Sequence, residues 1–228
     1  VERRSGITFQ PEKKYEFKYR HDEYGWHQNH EGLWYYTVFA ENGRLYDDEI
    51  VQFKKAFLAI AQTGKAQFRF TGNQNIIISD IQDADKKIIE EILGENGVSA
   101  VTESASPLRK NTLACVSFNT CPLALAEAQR YLPFLITKIE TLQQKHKIEN
   151  EGISIRMTGC PNGCARPYIA EIGFVGTAYG KYNMHLGADV VGTRLNKKYK
   201  ENLDEAEILV ELDELFGKFA GNRKMKES

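Results

Sequence analysis

The chain has 228 residues, of which 42% are hydrophobic and 11% aromatic, and its formal net charge at pH 7 is -1. A chain of this length and composition can bury one large or two small cores, which excludes a disordered or collagen-like protein. The near-zero net charge gives no general affinity for nucleic acid, and no apolar run approaches the ~20 residues that a membrane-spanning helix needs. We therefore expect a cytoplasmic protein with no nucleic-acid and no membrane partner.

The first 32 residues are polar and rich in charged, histidine and aromatic side chains. This pattern predicts an extended arm, residues 1–32, that lies on a partner surface and has no core of its own. The sequence opens on Val1 instead of methionine, from which we expect a piece of a longer protein.

An α+β unit is predicted for residues 33–103. Its predicted elements are a strand over 33–40, a helix that Asp47 or Asp48 caps and Gly64 ends, strands over 67–70 and 76–79, and a helix over 83–93. The order strand, helix, two strands, helix is typical of a ferredoxin-like fold.

A second domain, residues 111–221, is predicted after a linker at Ser104–Lys110. Its predicted elements are a helix from Pro122 towards Gln144 that Pro133 kinks or breaks, a strand over 152–157, a short helix over 166–172, strands at 174–176 and 183–186, and a helix over 204–219.

Four cysteines, the only ones in the chain, form two close pairs: Cys115 with Cys121, and Cys160 with Cys164. Each pair fixes two thiolates locally, and a fold that joins the pairs would build an all-thiolate site for a metal or an iron–sulfur cluster. The five-residue gap in the first pair is longer than structural zinc sites usually use, and the bacterial ferredoxin spacing is absent. A disulfide framework is a further interpretation, which the absence of a secretory segment and the size of the core disfavour.

The segments around these pairs resemble those of a known family. A-C-V-S-F-N-T-C-P-L-A and R-M-T-G-C-P-N-G-C-A-R, followed by A-E-I-G-F-V-G and Y-N-M-H-L-G, resemble the sirohaem-dependent sulfite reductases, in particular the haemoprotein subunit of the assimilatory enzymes. The resemblance covers nearly the whole chain and corresponds to the carboxy-terminal half of an internally duplicated protein. It implies a ferredoxin-like half-domain followed by an α/β domain that binds sirohaem and an iron–sulfur cluster.

The resemblance also implies cofactors and residue roles. In the family, four cysteines hold a four-iron four-sulfur cluster, and the last of them bridges the cluster to the sirohaem iron. The implied ligands are Cys115, Cys121, Cys160 and Cys164, with Cys164 as the bridge. Asn162 and Arg166 are expected to lie against the cluster or the sirohaem, and His185 is expected to be structural.

The polar break at residues 71–75 has two interpretations. Asn and Gly between two strands most often form a turn, because both tolerate positive φ. By the resemblance, this segment belongs to the face that covers the sirohaem, so Asn73, Gln74 and Asn75 are candidate cofactor contacts.

The implied activity is the six-electron reduction of sulfite to sulfide, as in sulfur assimilation and cysteine biosynthesis. The implied partners are the amino-terminal half of the same enzyme and an electron donor, either an NADPH flavoprotein or ferredoxin. We expect the isolated chain to be inactive, because in the family the cations that hold the substrate lie in the other half. Two alternatives stay open: a sirohaem nitrite reductase that makes ammonia, and a non-catalytic module whose four cysteines hold zinc.

Overall fold

The computed structural model describes residues 2–227, and the side chains of residues 3–222. The strands within this range form two sheets, each with its own buried core, and the α+β class expected from the sequence is confirmed. No helix in the described range has both the length and the apolar character that crossing a membrane requires.

The first sheet is antiparallel and belongs to the first unit of the fold, residues 25–104. Its strands are β1 (Gly25–Gln28), β2 (Trp34–Val38), β3 (Gln67–Phe70) and β4 (Ile76–Ile81), paired in the order β1-β2-β4-β3. The helices up to this point of the chain are α1 (Glu2–Ser5), α2 (Phe53–Thr63), α3 (Lys86–Glu95) and α4 (Val98–Ser104). Val38 and Ile78 of the sheet are fully buried in one cluster with Ile60 of α2 and Leu93 of α3.

Two expectations about the first unit need correction. The strand β1 lies inside the predicted arm and pairs with β2. Within the arm, residues 6–24 and residues 29–32 contain neither helix nor strand. The helix that Asp47 or Asp48 was expected to cap begins later, at Phe53, and the Asp47 carboxylate accepts the backbone amide of Lys54 in its first turn at 2.8 Å. The Asp48 carboxylate binds the backbone amides of Ile50 and Val51, both at 2.8 Å, and so forms a separate turn before the helix.

The second sheet is mixed and belongs to the second unit, residues 107–227. Its strands are β5 (Thr112–Ala114), β6 (Ile155–Thr158), β7 (Ile172–Ala178), β8 (Lys181–Leu186) and β9 (Lys197–Leu203), in that order across the sheet. Strands β5, β6 and β7 run parallel to one another, and β8 pairs antiparallel with both β7 and β9. The helices are α5 (Pro107–Lys110), α6 (Leu132–His146) and α7 (Glu205–Glu227). Met157 and Phe174 of the sheet are fully buried with Ile139 of α6 and Leu212 of α7.

The helix predicted from Pro122 towards Gln144 is wrong over its first part and right over its second, and the break expected at Pro133 falls at the helix start. Residues 122–131 form turns, and α6 begins only at Leu132, with Pro133 in its first turn. Proline lacks the amide donor that a helix interior needs but fits the first turn, where that donor has no intrahelical partner. The short helix predicted over 166–172 is a single 3-10 turn, Pro167–Ile169, and β7 begins at Ile172.

Candidate functional site

The two cysteine segments leave the second sheet side by side. Strands β5 and β6 are adjacent and parallel, and Ala114 pairs with Met157. Cys115 follows β5 directly, and its backbone amide donates to the carbonyl of Met157 at 3.1 Å. Because the carboxyl ends of adjacent parallel strands meet at one edge of a sheet, both cysteine pairs begin at the same place. We call this edge the cysteine edge.

Gly159 joins the two segments at the cysteine edge. Its amide donates to the Cys115 sulfur at 3.2 Å, and its carbonyl accepts from the amides of Leu125 and Ala126 at 2.8 and 3.0 Å. A Cβ at this position would lie 2.6 Å from the carbonyl oxygen of Ala126 and would also clash with the Ser117 hydroxyl. The close approach of the two cysteine segments therefore requires glycine here.

The four thiols are free and differ in exposure. Cys160 is buried, Cys115 and Cys121 are partly buried, and Cys164 is exposed. Burial raises the pKa of the Cys115 thiol, and the neighbouring thiols of Cys164 and Cys160 add to that rise, whereas hydrogen bonds from backbone amides oppose it. Cys115 is therefore close enough to both members of the second pair to interact with them electrostatically.

The thiols are not arranged as finished metal ligands. Among the described residues, no group of three or more His, Cys, Asp or Glu side chains has the geometry to hold a metal ion. The backbone brings the two pairs to one edge, and the convergence of all four sulfurs on one ion or cluster stays a prediction.

A tight turn carries the second pair. Gly163 has φ +70°, and the amide of Arg166 donates to its carbonyl at 2.7 Å. A Cβ at Gly163 would lie 3.0 Å from the ring of Tyr168, so the turn also packs closely against the residues that follow it. Asn162 is exposed in this turn, two residues before Cys164.

Arg166 reaches from the cysteine edge to the first unit. Its guanidinium donates to the carbonyl of Gly72 and lies 3.5 Å from the amide oxygen of Asn73. The polar break and the cysteine edge are therefore neighbours in space, although more than 90 residues separate Arg166 from Gly72 in sequence. Whether Arg166 contacts a cofactor stays a prediction.

The polar break is a turn between β3 and β4, closed by the amide of Thr71 on the carbonyl of Asn75 at 3.0 Å. The Asn73 and Asn75 amides donate to the Asp22 carboxylate, at 3.1 and 2.8 Å. The Gln74 amide nitrogen donates to the carbonyl of Ala114 at 2.9 Å, just before Cys115. The Gln74 Oε1 atom is buried and has no hydrogen-bond partner among the described residues. The cofactor contacts of these three residues stay predictions, and the structure gives each of them a protein partner.

His185 is partly buried and packs edge-on against the ring of Tyr168, with 5.3 Å between the ring centroids. Burial, followed by the charge of Lys198, lowers its pKa. The packing of this imidazole against Tyr168, behind the cysteine turn, supports the structural role expected for it.

The arm contributes residues that sequence reasoning missed. The Arg20 guanidinium donates to the carbonyls of Val190 and Ile169, at 2.9 and 2.6 Å, in the second unit. Asp22, two residues later, binds the polar break of the first unit. The arm therefore ties the two units together beside the cysteine edge. Nothing in the local sequence marks these two side chains, because they lie in a uniformly polar run.

Comparison with known proteins defines the class. Residues 27–96 match the family model described as the nitrite/sulfite reductase ferredoxin-like half domain, which confirms the ferredoxin-like unit. Among solved structures, the chain is similar to the NirA protein of Mycobacterium tuberculosis, with a TM-score of 0.68 and 26% identity over 86% of this chain and 37% of that one. The fold and the paired cysteine segments thus place the chain among the nitrite and sulfite reductases.

Proteins of similar sequence show which group of these reductases the chain belongs to. The sulfite reductase (NADPH) hemoprotein beta-component of Leptospira biflexa is 60% identical over all 228 residues, and that of Escherichia coli K12 is 49% identical over the same length. The chain belongs to the family of these sulfite reductase hemoproteins. It spans 41% and 39% of the length of these two relatives.

Proposed function

We propose that this chain is the cluster-binding part of a sulfite reductase, an enzyme that reduces sulfite to sulfide with six electrons. The observation that carries the proposal is the shared origin of the two cysteine pairs at the carboxyl ends of β5 and β6, joined by the hydrogen bond from Gly159 to Cys115. Together with the names of the relatives, this arrangement favours a redox cofactor at the cysteine edge over a purely structural role.

The residues fit a four-iron four-sulfur cluster. Four thiols in one region are the donor set that such a cluster takes, and an amide that donates to a ligand sulfur stabilises the thiolate form. Gly159 already supplies one such amide to Cys115. Loading would draw the four sulfurs together, as expected where binding of metal and folding of the site are coupled.

Exposure supports Cys164 as the bridging ligand to a sirohaem. A sulfur that serves two groups must be open on one side, and Cys164 is exposed whereas Cys160 is buried. The bound cofactors would supply the electron transfer and sulfur–oxygen bond cleavage that no side chain can perform. This chain would hold the cluster and shield one side of it, with Asn162 and Arg166 beside the exposed thiol.

We propose that the remaining part of the enzyme supplies the substrate-holding cations, since the chain spans only 41% and 39% of the two relatives. On this account the 228-residue chain alone does not reduce sulfite. The electron donor is proposed to be an NADPH-dependent flavoprotein, because the names of these relatives specify NADPH.

Nitrite reduction is the second candidate, because the half-domain that matches residues 27–96 is described for both nitrite and sulfite reductases. The 60% and 49% identities to sulfite reductase components favour sulfite. No observation on the described residues favours zinc.

The test is co-expression of this chain with the amino-terminal part of a relative, followed by anaerobic purification. We expect extractable sirohaem, and sulfide formation from sulfite that exceeds ammonia formation from nitrite. Sulfide formation by the 228-residue chain alone, at a rate similar to that of the complete enzyme, would contradict the proposed division of roles. A colourless complex that contains zinc would contradict the redox function itself.

A further inference from the structure

A small cavity of about 60 Å³ lies where the arm, the polar break and the second sheet meet. Its lining follows β5 and β6 from the residues just before these strands, Asn111 and Ser154, to Leu113 and Arg156. Its lining includes Arg20, Asn73, Asn111, Ser154, Arg156 and Glu171.

Arg156 is a buried cation, and no carboxylate among the described residues pairs with it. The residue is only 6% exposed, and its Nη1 atom is buried without a hydrogen-bond partner in the described part of the chain. It lies on β6 next to Met157, whose side chain points into the core, so the guanidinium is on the opposite face of the sheet. Burial, together with the positive charges of Arg166 and Arg20, lowers the pKa of Arg156 to about 10.

Arg20 brings a second guanidinium to the same cavity. Its Nε and Nη2 atoms donate to backbone carbonyls of Val190, Ile169 and Asp189. Its Nη1 atom is buried and, within the described residues, has no partner. Both arginines of this cavity have a buried N–H donor without an acceptor. Such unpaired buried donors lower the stability of the fold unless a bound acceptor satisfies them.

The acidic side chain of the cavity is already engaged. Glu171 accepts hydrogen bonds from the amide and the hydroxyl of Ser154, at 2.8 and 3.0 Å. It attracts Arg20, but no carboxylate is among the groups that shift the pKa of Arg156. Lys110 also lines the cavity, so the positive charge there exceeds the negative charge.

We propose that this cavity binds a small inorganic oxyanion of the sulfate, sulfite or phosphate class, through the guanidinium groups of Arg156 and Arg20. Guanidinium groups present planar pairs of donors that match the oxygens of such anions. A cavity needs only ~10–15 Å³ to admit one water molecule, so 60 Å³ leaves room for a larger ligand. None of the four cysteines lines the cavity, and the site requires no cluster, so its test is independent of the proposed function.

The test measures the thermal unfolding midpoint of the 228-residue chain against sodium sulfate concentration, with sodium chloride added to keep the ionic strength constant. The variants are R156M and R20M, with R44M as the control, because Arg44 is exposed and lies outside the cavity. A ligand that binds only the folded state raises the midpoint in a saturable way. We expect a saturable rise in the wild type and in R44M, and at least a tenfold weaker apparent affinity for sulfate in R156M and R20M.

R156M is expected to fold, since methionine replaces an unpaired buried charge with an apolar side chain of similar length. If it does not fold, R20M and calorimetric titration of the wild type with sulfate decide the question. A wild-type unfolding midpoint that does not change with sulfate concentration would overturn the proposal. A full saturable rise of the midpoint in R156M and R20M would overturn it as well. A response to acetate with none to sulfate would also overturn it, because the site would then be one for a carboxylate.

Discussion

The backbone amide of Gly159 donates a hydrogen bond to the sulfur of Cys115, with 3.2 Å between nitrogen and sulfur. This bond connects the two cysteine pairs, which are far apart in sequence. Since the carbonyl of Gly159 also accepts two amides from the loop after Cys121, both sides of one residue hold the two segments together. A change at this residue therefore affects both pairs at once.

Replacing Gly159 with alanine tests this relationship. The new Cβ would lie 2.6 Å from the carbonyl oxygen of Ala126, so one segment must move. We expect a loss of about 1–3 kcal/mol in the free energy of unfolding, as for other overpacked cores, and weaker iron binding by the cysteines. Urea unfolding gives the first quantity and iron content after anaerobic reconstitution the second.

The matched control is Gly94→Ala, because a Cβ there has no heavy atom within 4 Å. This variant should keep the wild-type stability or gain slightly, since Gly94 lies in helix α3 and alanine favours helix. Equal effects of the two substitutions would show that the packing around Gly159 does not constrain the cysteine segments.

Replacing Asp22 with alanine should release the arm from the first unit. The Asp22 carboxylate accepts from the Thr71 hydroxyl at 2.7 Å and from the amides of Asn73 and Asn75. Asn75 is only 2% exposed, so its amide would lose a charged partner without gaining water easily, at a cost of about 1–3 kcal/mol. Hydrogen exchange should become faster in residues 20–24 and in the polar break.

Glu23→Ala is the control for Asp22, because Glu23 is exposed and pairs only locally, with Tyr19, among the contacts described. It should leave exchange in the polar break unchanged. If Asp22→Ala leaves exchange unchanged as well, the arm is held by other contacts.

The contact between Arg109 and Glu140 predicts a pH effect. Burial opposes the ionisation of Glu140, yet hydrogen bonds from Arg109 and Ser106 hold its pKa below the ordinary value of 4.5. A carboxylate whose pKa falls on folding stabilises the fold above its ordinary pKa, and this contribution is lost as the pH falls through the lowered value. E140Q should therefore be less stable than the wild type at pH 7, and the difference should shrink as the pH falls below about 4.5.

Denaturant titrations between neutral and acidic pH measure this difference. The control is E149Q, since Glu149 is exposed and lies on the same cleft between the two units. If the free energy of unfolding differs between E140Q and the wild type by the same amount at every pH, the ionised Glu140 does not account for the stability that this contact provides.

Cys164→Ser should harm the complete enzyme more than Asn162→Ala. On the proposed function the Cys164 thiolate serves both the cluster and the sirohaem, whereas Asn162 is an exposed neighbour. We expect the first variant to lose turnover together with the spectroscopic coupling between the two iron centres, and the second to keep that coupling. Equal, mild losses in both variants would count against the bridging role.

The sequence predicted local structure well where a short pattern decides it. The strand Gln67–Phe70 has the predicted bounds, and Gly64 ends α2 in the left-handed conformation as expected. The helix predicted from Pro122 failed, because apolar spacing suggested a helix and the cysteine segment instead needs turns to reach Gly159. Strand β9 was missed because all but one of its residues are exposed, so no alternation of apolar and polar residues marks it.

In the candidate site, too, the sequence predicted the features that a local pattern decides and missed those that tertiary contacts decide. Cysteine spacing and the surrounding motif identified the candidate ligands, but the parallel pairing of β5 with β6 depends on contacts across 40 residues and leaves no local signal. The same limit explains why Asp22 and Arg20 were not singled out. Their partners lie in loops from both units, and only the tertiary structure brings those loops to the arm.

On the proposed function, the four cysteines together hold an iron–sulfur cluster. The most direct measurement is the content of iron, acid-labile sulfide and zinc in the anaerobically prepared complex of this chain with the amino-terminal part, for the wild type and for each cysteine-to-serine variant. We expect roughly four iron and four sulfide per chain in the wild type, and a clear loss of both in each of the four variants. One zinc per chain without sulfide, or iron content that survives the loss of Cys115 or Cys160, would contradict it.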